Sequence, residues 1–348
     1  MKKKDRGTNR IKFIYCLVGG MVLIMAASVF YMRYKLSSIS KETEQITQKY
    51  DKHYAMITDD AEKEFWDSVY QAASQEGEER QIFVERFGSN LNYKYSKSEL
   101  VQIAIDAAVD GIILEGDESP ELTNMINLAQ ECNIPVVTVK NDCSASQRIS
   151  FVGISSYNLG KTYGAKLLSL LTEESNKVYV LMDEDIADLS QDIVVSGIRD
   201  AVATASSKEI DYVIEGVAID SQDAFGSEEA IRDIFLDDKN LPDVMICLNS
   251  VFTKCAFQAA VDYNKVGKVN ILGYYDSDDI LEAVSKNILQ STISIDTESM
   301  GRMSVQALQE YQTTGYVSTY MAVDSRMIGQ YNAFSMLEER EQEVENEK

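Results

Sequence analysis

Between Val109 and Gly160 the chain alternates apolar bursts with amphipathic stretches. Ile112–Leu114 and Val136–Val139 are each closed by polar residues at their carboxyl ends. The same cadence starts at His53. Strands are predicted over His53–Thr58, Gln81–Glu85, Gly111–Leu114, Pro135–Val139 and Ile149–Val152. Helices are predicted over Lys63–Ser74, Ser98–Ala108, Ser119–Glu131 and Tyr157–Leu171. Ser119-Pro120 opens its helix with a cap and a proline in the first turn. A second series follows, with strands at Lys177–Met182, Tyr212–Val217, Val244–Leu248, Val269–Gly273 and Gln290–Ser294. Its helices are Gln191–Thr204, Ser227–Leu236, Phe252–Tyr263, Asp278–Lys286 and Glu298–Tyr311. Strands alternating with helices of this length predict an α/β fold of parallel sheets covered on both faces. Two series imply two doubly wound lobes, and the carboxyl ends of such strands are where ligands sit.

The pattern before His53 differs. Phe13–Met32 is an uncharged run long enough, at about 1.5 Å per residue, to cross a roughly 30 Å hydrocarbon core. Six basic residues precede it and Arg33 and Lys35 follow, which predicts a cytoplasmic N-terminus (residues 1–12) and an anchor over residues 13–34. A cleaved signal peptide, with Ala26-Ala27-Ser28 as its small-residue patch, is the competing reading. The run continues through Val29, Phe30 and Tyr31 and exceeds a usual signal core, which favours an uncleaved anchor. Cys16 lies too early in the run for lipid attachment. Leu36, Ile39, Thr43, Ile46 and Tyr50 then form one helical stripe, read as a solvated stalk over residues 35–52. Residues 333–348 read as an acidic tail that frays.

Net charge is −23, yet the first 35 residues carry eight bases against Asp5, a net of +7, leaving −30 on the remainder. Such a surface repels phosphate backbones and argues against nucleic acid as a partner. Cys132, Cys143, Cys247 and Cys255 lack disulfide-module or zinc spacing and read as buried free thiols. No catalytic constellation, metal site or cofactor motif appears. His53 is the sole histidine and reads as structural. Asp183-Glu184-Asp185 with Asp188 lacks the glycine of a calcium loop and reads as a solvated acidic loop.

A set of ordered segments then resembles the ribose-binding-protein-like type I periplasmic (sugar) binding proteins. They are the Phe65-Trp66 pair in KEFWDSVYQAA, DGIIL, NIPVVTV, RISFVGISSYNLGKTYGAKLL, LPDVMICLNSVFTKCAFQA, VNILGYYDSDDILEAV and LQSTISIDTESMGRMSVQAL, spread over roughly residues 53–330. Lactose-repressor-type regulators share the fold, but the apolar N-terminal run stands where their DNA-binding head would be. The resemblance implies an N-terminal lobe of residues 53–154 and 296–324 and a C-terminal lobe of 155–295 and 325–332. It implies three hinge crossings near Ile154/Ser155, Ile295/Asp296 and Asp324/Ser325, with a ligand gripped between the lobes.

Carried over by position, the resemblance makes Phe65 and Trp66 candidates to cover a sugar face, against their packing as core aromatics. One is expected to face the ligand and one the core. Asn249 would contact ligand hydroxyls or cap the following helix. Glu115 and Asp117 would bind hydroxyls or cap a loop. Where the family commonly has a sugar-gripping Asp, this chain has Lys140-Asn141-Asp142; where another Asp is expected it has Tyr275, with Asp276 next to it; the family's Arg falls near Val194. Lys140 reads either as the receiver of an anionic group or as a solvated rim residue. These departures leave the ligand's identity open.

The expected role is a non-enzymatic, membrane-anchored extracytoplasmic receptor. It would bind a carbohydrate or similar small polar ligand and hand it to an ABC-type permease. The alternative is a sensory co-receptor that reports the ligand to a histidine kinase; an enzyme with a hidden site in the acidic clusters is a third reading.

Overall fold

The computed structural model describes residues 27, 28, 30–33 and 50–346, apart from 60–61, 90–92, 173–176, 185–188, 206–211 and 220–223. Most of the expected anchor and stalk, and residues 185–188 of the acidic loop, therefore lie outside the described residues. Among those described, no helix is long and apolar enough to cross a membrane.

Residues 52–348 form one compact unit. Its first sheet has the order β11-β5-β4-β3-β1-β2 and is parallel throughout. It comprises β1 (Lys52–Ile57), β2 (Ile82–Arg86), β3 (Gly111–Glu115), β4 (Val136–Val139), β5 (Ser150–Gly153) and β11 (Tyr320–Ala322). The second sheet has the order β12-β10-β9-β8-β6-β7. It contains β6 (Lys177–Asp183), β7 (Val213–Ile219), β8 (Val244–Cys247), β9 (Asn270–Tyr274), β10 (Ser291–Ile295) and β12 (Ser325–Ile328). Only β12 runs antiparallel, against β10. The α/β fold with two mainly parallel lobes is thus as expected, whereas the short β11 and β12 are not among the predicted strands.

The central strands β3, β4, β8 and β10 are buried at every position, which is why they read as short continuous apolar or small-residue runs without alternation. Local chemistry sets the ends of the intervening helices. Ser96 and Glu99 form a reciprocal capping box at the start of α2 (Lys97–Asp106), and Ser119 caps α3 (Pro120–Glu131). The first helix, α1 (Lys63–Glu79), runs past its predicted end at Ser74. Glu76 is buried there, and its Oε1 accepts from Gln306 at 2.9 Å and from Arg80. The helix α4 (Ser156–Leu167) stops short of Leu171, because Ser169 and Leu170 close tight turns onto Lys166 and Leu167.

Helix pairs cover the sheets. Within the second lobe α4 crosses α5 (Leu189–Ala205) at Gly160, where an added Cβ would lie 2.2 Å from the Val194 carbonyl. Val194, where the family's Arg was sought, is therefore a packing position against a neighbouring helix. The lobe is completed by α6 (Ala224–Leu236), α7 (Ser250–Asp262) and α8 (Asp278–Ser285). In the first lobe α9 (Thr297–Thr314) packs on α1 at Gly301 and ends at Gly315 in the left-handed conformation, φ 76°.

The chain passes between sheets after β5, after β10 and between β11 and β12. Ile154/Ser155, Ile295/Asp296 and Asp324/Ser325 lie at these passages, and the Asp296 amide donates to the Asp324 carbonyl at 3.1 Å. Ser155 is the N-cap of α4: its side-chain oxygen accepts from the Asn158 amide at 3.4 Å, and its carbonyl accepts from the Leu159 amide at 2.9 Å. A cap satisfies helix-terminal amides that have no partner within the helix, so Ser155 is tied to α4. Asp296 likewise caps α9, accepting from the Ser299 amide at 2.8 Å.

The run read as a fraying acidic tail is instead α10 (Gln330–Asn346). Arg340 holds it to the second lobe, donating to the Asp276 carbonyl at 2.8 Å, to Asp276 Oδ2 at 3.0 Å and to Asp278 Oδ1 at 2.7 Å. The four cysteines beyond residue 50 are free thiols, as expected. Burial is not shared by all: Cys143 and Cys247 are buried and Cys255 is half-buried, but Cys132 is exposed at the C-terminal end of α3.

Candidate functional site

The carboxyl ends of both sheets meet across a cleft, and the side chains there touch one another. Phe65 and Trp66 open α1 and both are fully buried, edge to face with centroids 5.0 Å apart. Of the expected ligand-facing and core-facing rings, neither is open to solvent. Both rings lie beside the Lys140 ammonium, 5.2 Å and 5.7 Å from it, a distance suited to cation–π attraction. Phe65 also meets the ring of Tyr275 from the other lobe, centroids 5.5 Å apart. Trp66 Nε1 is buried without a hydrogen-bond partner.

Lys140 follows β4 in the left-handed conformation, φ 67°, which turns the chain sharply at the sheet edge. Its side chain is only 11 % exposed, so it is not a solvated rim residue. Its ammonium is ion-paired with Glu62 and stands 3.9 Å from Glu115. Glu62 is the residue that sequence reasoning missed. It lies in the β1–α1 loop, at the carboxyl end of a strand, where the rule applied to β3 and β4 already placed the cleft rim. Its Oε1 accepts from the Ser250 amide at 2.9 Å and the Ser250 hydroxyl at 3.0 Å, at the start of α7 in the opposite lobe.

Other candidates are held by the protein itself. Asn249 is the N-cap of α7, its side chain accepting from the Phe252 amide at 2.7 Å. Asp142 binds Arg148 and accepts from Thr138 Oγ1 at 2.8 Å and its neighbour's amide at 2.7 Å, which fixes the turn after β4. The Asn141 carbonyl accepts from the Gly116 amide at 3.2 Å and packs against that glycine so closely that a Cβ would lie 2.4 Å away. Asp276 is bound by Arg340, and burial, only partly opposed by that guanidinium, lifts its carboxyl above the ordinary value. Tyr275 donates to the Glu64 carbonyl across the cleft at 3.3 Å.

Glu115 and Asp117 diverge electrostatically. Burial pushes the Glu115 carboxyl up, with Lys97 and the Asp59 amide at 2.8 Å only partly opposing it. Burial also raises Asp117, but Lys97 at 3.0 Å and the Ser119 donors pull it below the ordinary carboxylate value. Burial, and next the Glu115 charge, raise the Tyr274 phenol in the opposite lobe. His53 sits apart on β1, its ring nitrogen 2.8 Å from Glu85. Among the described residues no group of three or more histidine, cysteine or acidic side chains could hold a metal. A separate open groove of about 600 Å³ along α4, lined by Lys161, Lys166 and Met327 among others, includes none of the cleft residues.

Two doubly wound lobes with opposed carboxyl edges and three connecting passages define a two-lobed binding protein of the type I periplasmic class. The periplasmic binding protein domain model matches residues 54–315, and the chain belongs to that family. Among curated proteins no match is found. Solved structures share the fold. A glucose-galactose binding protein, GanP from Geobacillus stearothermophilus, superposes with a TM-score of 0.70 at 21% identity, over 81% of this chain and 98% of its own. The XylFII–LytSN complex gives 0.68 at 23%, over 81% and 98%. A carbohydrate transporter from Acidothermus cellulolyticus in complex with myo-inositol gives 0.68 at 18%, over 84% and 98%.

Proposed function

We propose that this chain is an extracytoplasmic, membrane-anchored receptor that closes its two lobes on a sugar-like small polar solute. The carrying observation is the convergence of Phe65 and Trp66 with Lys140, Tyr275 and Ser250 from both lobes within one closed cleft. A ring face lies against the aromatic pair, and polar groups at the strand ends fix its orientation. The unpartnered Trp66 N–H supplies a donor that a bound hydroxyl satisfies. The passages at Ile154/Ser155, Ile295/Asp296 and Asp324/Ser325 serve as the hinge, with Ser155 moving as the cap of α4. The closed form is presented to an ATP-driven permease. Calorimetry of the full-length chain against sugars, polyols and sugar acids tests this reading. Failure of every such solute to bind would overturn it.

A second reading for the partner is a sensor kinase. It is favoured by the helical stripe before residue 52 and by the fold neighbour XylFII, solved as a complex with LytSN. Co-purification from native membranes separates the two, since recovery of a permease without a kinase excludes the sensory version.

A further inference from the structure

Glu62 stands at the N-cap position of α1, yet its side chain makes no cap for that helix. It reaches instead to the first residue of α7 in the other lobe, where the Ser250 amide and hydroxyl bind one oxygen, while Lys140 of its own lobe binds the other. Ser250 is 6% exposed, and the Glu62 and Lys140 side chains are 7% and 11% exposed. An ammonium, a helix-terminal amide and a hydroxyl, contributed by two lobes and removed from water, make a complete receptor for one carboxylate. Beside it the buried Trp66 N–H has no acceptor, and its ring lies 5.7 Å from the same ammonium. A buried donor left unmade is costly, and it marks where a further oxygen belongs.

We propose that the subsite between Lys140 and Ser250 takes the carboxylate of an acidic sugar or polyhydroxy acid, with Glu62 as the tethered stand-in that this solute displaces. The inference rests on the solute reading above and names its ligand class. Exchanging one carboxylate for another keeps the Lys140 ammonium and the Ser250 amide paired. A neutral hydroxyl in that place would bring no charge to replace the Glu62 carboxylate beside the buried ammonium, which is expensive in a dry cleft. Glu115, the other carboxylate near Lys140, is already engaged by the Asp59 amide and stands 3.9 Å off. The hydroxyls of the solute then meet the Trp66 N–H, and its carbon skeleton lies along the Phe65 and Trp66 rings.

The test is calorimetric titration of the full-length chain in detergent with D-galacturonate and D-gluconate against D-galactose, D-glucose and myo-inositol. The acids should bind at least about tenfold more tightly than their neutral counterparts, as a charge-assisted contact predicts. Glu62→Gln weakens the tethered competitor and should tighten acid binding several-fold. The double variant Lys140→Met with Glu62→Gln, which removes both charges together, should lose the preference for acids. Neutral sugars binding as well as or better than the acids would overturn this inference and leave the solute reading intact. Binding by neither set would overturn both. Unchanged acid affinity in Glu62→Gln would overturn the displacement step.

Discussion

Lys140 and Tyr275 occupy equivalent places in the two lobes. Each directly follows the third strand of its sheet order, β4 and β9, each has a left-handed backbone with φ of 67° and 73°, and both approach Phe65. Backbone strain of this kind, costing about 1–3 kcal/mol per residue, persists where surrounding contacts over-determine it. Here both strained residues turn their side chains onto one aromatic ring between the lobes.

Phe65→Ala should therefore act on both lobes at once. Loss of a fully buried ring costs about 3–5 kcal/mol. Urea unfolding should show that loss, and solute binding should weaken with it. Phe65→Leu should retain most of the stability while still losing the flat ring. Equal binding by Phe65→Leu and the parent protein would remove Phe65 from the ligand wall.

Lys140→Met alone leaves the Glu62 carboxylate buried without its counter-charge, a change worth about 3–5 kcal/mol of destabilisation. Adding Glu62→Gln removes the orphaned charge. The double variant should be more stable than Lys140→Met, and a double-mutant cycle in urea should return a coupling above about 1 kcal/mol. Strict additivity would contradict the Glu62–Lys140 pair.

Glu115 gives a pH signature. Its carboxyl lies above the ordinary value of 4.5, chiefly through burial. A raised carboxyl pKa means that the folded chain holds the proton more tightly than the unfolded chain does. The contribution of this group is complete below 4.5 and is lost as pH rises through the raised folded value. Glu115→Gln cannot lose that proton, so its urea midpoint should gain on the parent protein across this window. A gap between the two that stays constant with pH would exclude Glu115 as the source.

Gly160→Ala forces a Cβ against the Val194 backbone carbonyl and should separate α4 from α5, at a cost of about 1–3 kcal/mol. Gly329→Ala is the control, since nothing lies within 4 Å of its added Cβ and its backbone φ is not positive. That control should stay within about 0.5 kcal/mol of the parent in thermal unfolding.

Thiol accessibility offers an independent check of the core. With peptide mapping after native labelling, Cys132 should react first and Cys255 slowly, its thiol being raised to about 11 mainly by burial. Cys143 and Cys247 should react only on unfolding. Fast native labelling of Cys247 would contradict the packing of β8.

The order of strands and helices, the two-lobe plan and the location of the rim were legible in the sequence because each depends on short-range signals. Apolar runs such as Ile112–Leu114, capping residues such as Ser119, and polar strand ends are local features, and parallel sheets place those ends together. Lys140 and Tyr275 were legible as departures at those ends. What each touches was not. Glu62 and Ser250 are 188 residues apart, and no local pattern joins a loop glutamate to a distant helix terminus. The burial of both Phe65 and Trp66 involves partners distant in sequence, with Lys140 beside both rings and Tyr275 of the opposite lobe against Phe65. The helix over residues 330–346 is tied to the second lobe by Arg340 reaching Asp276 and Asp278, long-range partners that an acidic composition conceals. Local periodicity thus determined the elements and their order, while the filling of the cleft was decided by contacts between chain segments that only the folded lobes bring within hydrogen-bond range.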